Sequence, residues 1–120
     1  MQICNLTATV LAEQNWNLRE RKVIHEFVRC VRATFRERVQ KIVLFGSRAR
    51  GDADRESDYD FLVLFEPLLK DDKNQLSTIA GDVSLENCVC IMALAAEERD
   101  FSEDRYFYLY ENICKEGIEL

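Results

Sequence analysis

Asp58 and Asp60 stand one residue apart at the head of an apolar run, Phe61 to Phe65, and Gly46-Ser47 closes an earlier run, Ile42 to Phe45. Along a strand, side chains at i and i+2 project from one face. The two carboxylates are therefore expected side by side at a strand mouth. Neighbouring carboxylates resist ionising together, and a divalent cation removes that conflict. Mg²⁺ suits the pair, because it is commonly held by one or two carboxylates and completed by substrate phosphates. With two ions about 3.5–4 Å apart, a site of this kind clamps the attacking and leaving oxygens of an in-line displacement.

The Gly-Ser turn supplies the other half. Gly46 lets backbone approach a ligand closely, and Ser47 offers a hydroxyl and an amide to a phosphate oxygen. Residues 47–50 are expected to open a short helix whose free amides favour an anion, stopped at Gly51. Arg48 and Arg50 add guanidinium groups shaped for phosphate. This is not a Walker A loop, because no Gly-Lys-Ser/Thr follows. Taken singly, the Gly-Ser is an ordinary turn and the Ser-Asp-x-Asp an ordinary cap with surface charge. Their joint occurrence between two strand-like flanks brings both to one sheet edge.

The spacing Gly-Ser, ten residues, Asp-x-Asp resembles the nucleotidyltransferases of the polymerase-beta superfamily. The strings Gly46-Ser47-Arg48-Ala49-Arg50-Gly51 and Ser57-Asp58-Tyr59-Asp60 are similar to those of the stand-alone minimal nucleotidyltransferases (MNT proteins). Those are short prokaryotic chains, often paired with a helical HEPN-family protein in toxin–antitoxin modules. The likeness extends over roughly residues 20–120 and is strongest over 42–65. It implies that Gly46, Ser47 and Arg48 hold a nucleoside triphosphate and that Asp58 and Asp60 are the catalytic Mg²⁺ ligands. The implied reaction moves AMP from ATP to a hydroxyl acceptor, a tyrosine of a HEPN-type toxin, which gives the chain an antitoxin role. The ending, residues 112–120, resembles the family's terminal helix and short strand.

One departure bears on activity. The family usually carries a third carboxylate, flanked by apolar residues, on a later strand. The corresponding place is Val89-Cys90-Ile91. A neutral thiol is a poor ligand for Mg²⁺, which favours hard oxygen. Two functional readings follow: a nucleotidyltransferase that tolerates Cys90, or a catalytically weakened nucleotide-binding module that neutralises its partner by occlusion. By residue type alone, a small buried core residue is the commoner role for Cys90. A phosphohydrolase ranks below both, because no histidine-rich or further acidic cluster supports it.

The elements that must position these groups follow from periodicity. Ile24, Phe27, Val28, Val31 and Phe35 recur at helical spacing and predict an amphipathic helix over 18–38. Strands are expected over 41–45, 58–65 and 88–94; the second is apolar on both faces and so central. A helix is expected over 73–86 with Leu76, Ile79, Ala80 and Val83 inward. A last helix is expected from Ser102 to Lys115, with Ser102 as N-cap, Glu103 and Asp104 in its first turn, and Tyr106, Leu109, Tyr110 and Ile113 inward. Ile3, Leu6 and Val10 make a weaker stripe. The expected architecture is α/β (α+β): a small mixed sheet backed by helices, of the polymerase-beta-like kind, in one domain over residues 1–120.

Composition sets outer limits. With 120 residues, 48% hydrophobic and 32% charged, the chain suits one soluble core. No run reaches membrane-spanning length and no signal peptide is visible, so a cytoplasmic location is expected. The five cysteines include no Cys-x-x-Cys, and with a single histidine they predict reduced, mostly buried thiols rather than zinc. The net charge of −6 is unevenly spread: residues 1–55 carry eleven Lys/Arg against six Asp/Glu, and the remainder is strongly acidic. That acidic half argues against direct DNA binding and suits a basic protein partner, or is simply a solvated face.

Overall fold

The computed structural model describes residues 16–102 and 107–120. Helix α1 runs Leu18–Phe35 and buries Val23, Ile24, Phe27, Val31 and Phe35, the stripe that the periodicity predicts. Asn17 starts it. Its Oδ1 accepts from the Glu20 amide at 2.8 Å, and Glu20 Oε1 accepts from the Asn17 amide at 3.1 Å. Two amide donors of the helix start are thereby satisfied reciprocally. The helix stops three residues short of expectation: Arg36 takes φ 53°, and a 3-10 turn over Arg36–Arg38 leads into the first strand.

Four strands form one mixed sheet in the order β3-β2-β1-β4. Strand β1 is Val39–Phe45, β2 is Tyr59–Phe65, β3 is Ile91–Ala96 and β4 is Ile118–Glu119. Strand β2 is central, antiparallel to β1 and parallel to β3, and β4 adds antiparallel to β1. The four-residue helix α2 (Ser47–Arg50) follows β1, α3 (Asp72–Asn87) precedes β3, and α4 (Phe107–Glu116) precedes β4.

Alternation along β2 decides what each face does. Tyr59, Phe61, Val63 and Phe65 face α1 and α3 in the main core, with Phe27 stacked on Phe61 at 4.1 Å between ring centroids. Leu62 and Leu64 face the other way and, with Val43, pack on Ile113 of α4. By the same alternation Asp58 and Asp60 belong to this second, more thinly covered face. An ion pair closes the far end of the sheet: Arg38 donates to both Asp72 carboxylate oxygens, and the Leu69 amide adds a third donor at 2.7 Å. Those donors hold the Asp72 carboxyl below the usual carboxylate range, the Arg38 hydrogen bond first.

Two expectations are corrected. Strand β3 starts at Ile91 and not at residue 88, because Cys88 is the left-handed C-cap of α3 and the Cys88 and Val89 amides both still bond Ser84 carbonyl oxygen. Ser102 ends a 3-10 turn, Glu98–Ser102, and the last helix is described as α4, Phe107–Glu116. Glu103, Asp104 and Tyr106, like the stripe Ile3, Leu6 and Val10, lie outside the described residues. Among described thiols, Cys30 is half-buried but Cys88 and Cys90 are exposed, so mostly buried cysteine is wrong for that segment. Among the described residues, no helix is long and apolar enough to cross a membrane.

Candidate functional site

Strand β1 ends at Phe45, opposite Asp60 of β2. The chain then turns through Gly46, at φ 76° and ψ −158°, directly into α2. That short helix closes on itself: the Ala49 and Arg50 amides donate to Gly46 carbonyl oxygen at 3.1 and 3.0 Å, and the Gly51 amide donates to Ser47 carbonyl oxygen at 3.0 Å. Gly51 ends it in the left-handed region, φ 85°, as expected. Gly46 is required twice. Its backbone is one that side chains rarely adopt, and a Cβ here would overlap Asp60 Oδ2. The turn and the second carboxylate are thus in direct contact.

The loop between α2 and β2 braces itself. Asp54 Oδ1 accepts from the Glu56 amide at 2.9 Å and from Ser57 Oγ at 3.2 Å, and Ser57 Oγ accepts from the Asp54 amide at 3.0 Å. Asp58 follows, exposed, just before the strand ladder; Asp60 is half-buried. The Asp60 carboxyl is pushed above the usual range by its burial and by the charge of Asp58, against the pull of Arg50. The two carboxylates provide a hard-oxygen donor set for a divalent cation. Among the described residues no group of three or more His, Cys, Asp or Glu can hold a metal. A cation on Asp58 and Asp60 therefore needs further donors, such as phosphate oxygens or water.

The two arginines of the turn diverge. Arg50 extends along the carboxylate face, where its charge acts on Asp60, and its guanidinium donates to Asp52 Oδ2 at 3.0 Å and to Glu116 Oε2 of α4 at 2.9 Å. Arg48, expected at the nucleotide, goes to the helix-covered face. It is 8% exposed and lies over the Tyr59 ring at 4.3 Å. It donates to Glu20 Oε2 at 3.1 Å and to Ser57 carbonyl oxygen at 2.8 Å. Nothing in the spacing of the turn separates these two fates; the contact with Glu20, 28 residues upstream, decides them.

Cys90 precedes β3, and its carbonyl oxygen accepts from the Tyr59 amide at 2.9 Å. The parallel register sets Tyr59 opposite Ile91, which brings Cys90 level with Asp58. The thiol is pushed up by loss of solvent at the sulfur first, then by the neighbouring Asp58 and Asp60 charges. It is therefore a neutral group at pH 7, beside the acidic pair. A cleft of about 490 Å³ opens next to it, lined by Arg19, Arg55, Glu56, Ser57, Cys88, Val89 and Cys90. On the same face of β3, Met92 opposite Asp60 is 54% exposed and Leu94 is 39% exposed. The single histidine, His25, is exposed on α1.

The profile of the nucleotidyltransferase domain matches residues 24–118. A Methanocaldococcus jannaschii protein named as a candidate protein adenylyltransferase is 33% identical over 100 residues, spanning 83% of this chain and 96% of its own. A second protein of that organism, similarly named, is 38% identical over 72 residues, spanning 58% of this chain and 72% of its own. Among solved structures, a toxin–antitoxin crystallised with AMP-PNP superposes with a TM-score of 0.57 at 20% identity, covering 78% of this chain and 68% of that one. A mutant of the toxin–antitoxin MntA-HpeT gives 0.56 at 21% identity, covering 87% and 72%. At these identities the two structures establish a shared fold.

Proposed function

This chain belongs to the nucleotidyltransferase domain family, and from that premise we propose that it moves AMP from ATP to a hydroxyl group of a protein partner. The observation that carries the reading is the contact of the Gly46 turn with Asp60, which sets a phosphate-sized turn against the acidic pair. In this reading Asp58 and Asp60 hold Mg²⁺, and the triphosphate lies along Gly46 and Ser47. Arg50, on the same face as the pair, takes the nucleotide-facing role that was expected of Arg48. Bound Mg²⁺ supplies neutralisation of the charge that builds on the phosphoryl oxygens. The acceptor oxygen attacks the α-phosphorus, the bond to the bridging oxygen breaks, pyrophosphate leaves, and the hydroxyl proton passes to solvent. Such a displacement depends on alignment more than on covalent help.

Support for a protein acceptor comes from two sides. Both archaeal relatives are named for protein adenylylation, and the surface beside the pair is apolar where Met92 and Leu94 are exposed. A HEPN-type helical toxin, neutralised by AMP on one of its tyrosines, fits the toxin–antitoxin neighbours. The alternative keeps the nucleotide site and loses the transfer, and Cys90 favours it: a protonated thiol stands level with Asp58 where a carboxylate would serve as base or ligand.

Cys90→Asp separates the two. A positioned general base contributes on the order of 10²–10⁴-fold, so the substitution raises AMP transfer by at least about 10²-fold if the wild type is crippled at this position. Single-turnover transfer from radiolabelled ATP measures it. An unchanged rate in an already active protein assigns Cys90 no part in the deficit.

A further inference from the structure

We propose that Arg48 is a positioning residue: its buried guanidinium locks the acidic strand to the phosphate turn and thereby sets the metal affinity of Asp58 and Asp60. The inference rests on reading those aspartates as metal ligands. It takes Arg48 out of contact with the nucleotide and gives it a different task.

Asp58 is exposed and precedes the ladder of β2, so the sheet alone does not fix it. Its two flanking peptides are anchored instead. On one side the Ser57 carbonyl oxygen accepts from Arg48 at 2.8 Å; on the other the Tyr59 amide donates to Cys90 carbonyl oxygen at 2.9 Å. Arg48 itself belongs to α2, one residue after Ser47. One guanidinium therefore ties the turn to the residue that precedes Asp58.

Burying that guanidinium is costly unless it is paired. Glu20 provides the charge, with Oε2 at 3.1 Å from Arg48 and Oε1 engaged with the Asn17 amide at the start of α1. Tyr59 provides the cation–π face. The Nε hydrogen is left without a partner among the described residues. A lysine keeps the charge but has no planar fork to reach Glu20 and Ser57 together. The arrangement resembles the outer partners that orient metal ligands, whose loss typically costs about 10–100-fold in metal affinity.

The test is Mn²⁺ binding to the full chain, in the presence of a non-hydrolysable ATP analogue, followed by electron paramagnetic resonance. Wild type, Arg48→Lys, Asp58→Asn and the double variant are compared, with melting temperatures recorded for each. Arg48→Lys is expected to weaken Mn²⁺ binding about tenfold, and to have no further effect once Asp58 is Asn. Ala80→Gly, which costs about 1 kcal/mol in the distant helix α3, controls for stability and is expected to leave Mn²⁺ binding unchanged. Wild-type affinity in Arg48→Lys, with affinity lost in Asp58→Asn, overturns the clamp and leaves the metal reading standing. Wild-type affinity in Asp58→Asn overturns the metal reading and this inference with it. If Arg48→Lys fails to fold, Glu20→Ala decides: several-fold weaker Mn²⁺ binding supports the clamp, and unchanged binding refutes it.

Discussion

Replacing Asp58 and Asp60 together by asparagine is expected to abolish Mg²⁺-dependent ATP binding while the protein stays folded, with a melting temperature no lower than that of the wild type. Binding is lost because amide oxygens carry no charge for a hard cation. A fall of at least about 10²-fold in ATP affinity in the presence of Mg²⁺ is the scale expected when both charged ligands go. Stability is kept because the half-buried Asp60 carboxylate, beside the Asp58 charge, is unfavourable in the metal-free protein. The Asp60 carboxyl lies above its ordinary value through burial and the Asp58 charge. A carboxyl raised on folding binds more protons folded than unfolded, so the metal-free wild type loses stability as pH rises from the ordinary carboxyl range through the raised value. Asparagine at both positions removes that loss at neutral pH. Calorimetric titration with Mg²⁺-ATP and thermal melts at several pH values measure both effects. Undiminished Mg²⁺-ATP binding by the double variant would refute the metal assignment.

Gly46→Ala is the second large effect. The new Cβ meets Asp60 Oδ2, and the backbone at φ 76° and ψ −158° belongs to a region that is nearly glycine's alone. Residues held in such regions cost about 1–3 kcal/mol. The carboxylate is the movable party, so relief comes by swinging Asp60 away from the turn. A displacement of about 1 Å at a reacting centre can cost about 10²-fold in rate. The variant is expected to melt several degrees lower and to lose nucleotide transfer by about that factor. Gly51→Ala is the informative contrast: its φ is also positive, but a Cβ there meets nothing within 4 Å. It should cost stability with little loss of transfer. Equal activity in Gly46→Ala and wild type would separate Asp60 from the turn functionally.

What the sequence disclosed was mostly local. The acidic pair, the glycine-bounded turn and the central, two-sided strand β2 are written in spacings of a few residues, and alternation alone puts Asp58 and Asp60 on one face. The start of β3 was less legible, because Cys88 and Val89 look like strand residues while their amides are still engaged by Ser84 at the end of α3. The roles of the arginines were not legible at all. Arg48 and Arg50 are two residues apart in a helical turn, and partners far along the chain divide them: Glu20 draws one inward, and Glu116, 66 residues downstream, draws the other across the carboxylate face. Cys90 shows both limits. Its place beside the acidic pair could be read from the strand pattern, whereas its exposure depends on β3 being an edge strand.

Strand β3 lies at the edge of the sheet among the described residues, and it is there that we propose the partner docks. Met92, opposite Asp60, and Leu94 are exposed on β3.

The most direct test of the account is the intact mass of such a partner, a HEPN-type toxin that binds this chain, after incubation with the protein, ATP and Mg²⁺. The predicted result is a gain of one or more AMP units on the partner with wild-type protein, abolished by Asp58→Asn. A partner that binds the wild type and gains no mass, in a reaction where ATP is left intact, contradicts transfer and makes the chain a binding module.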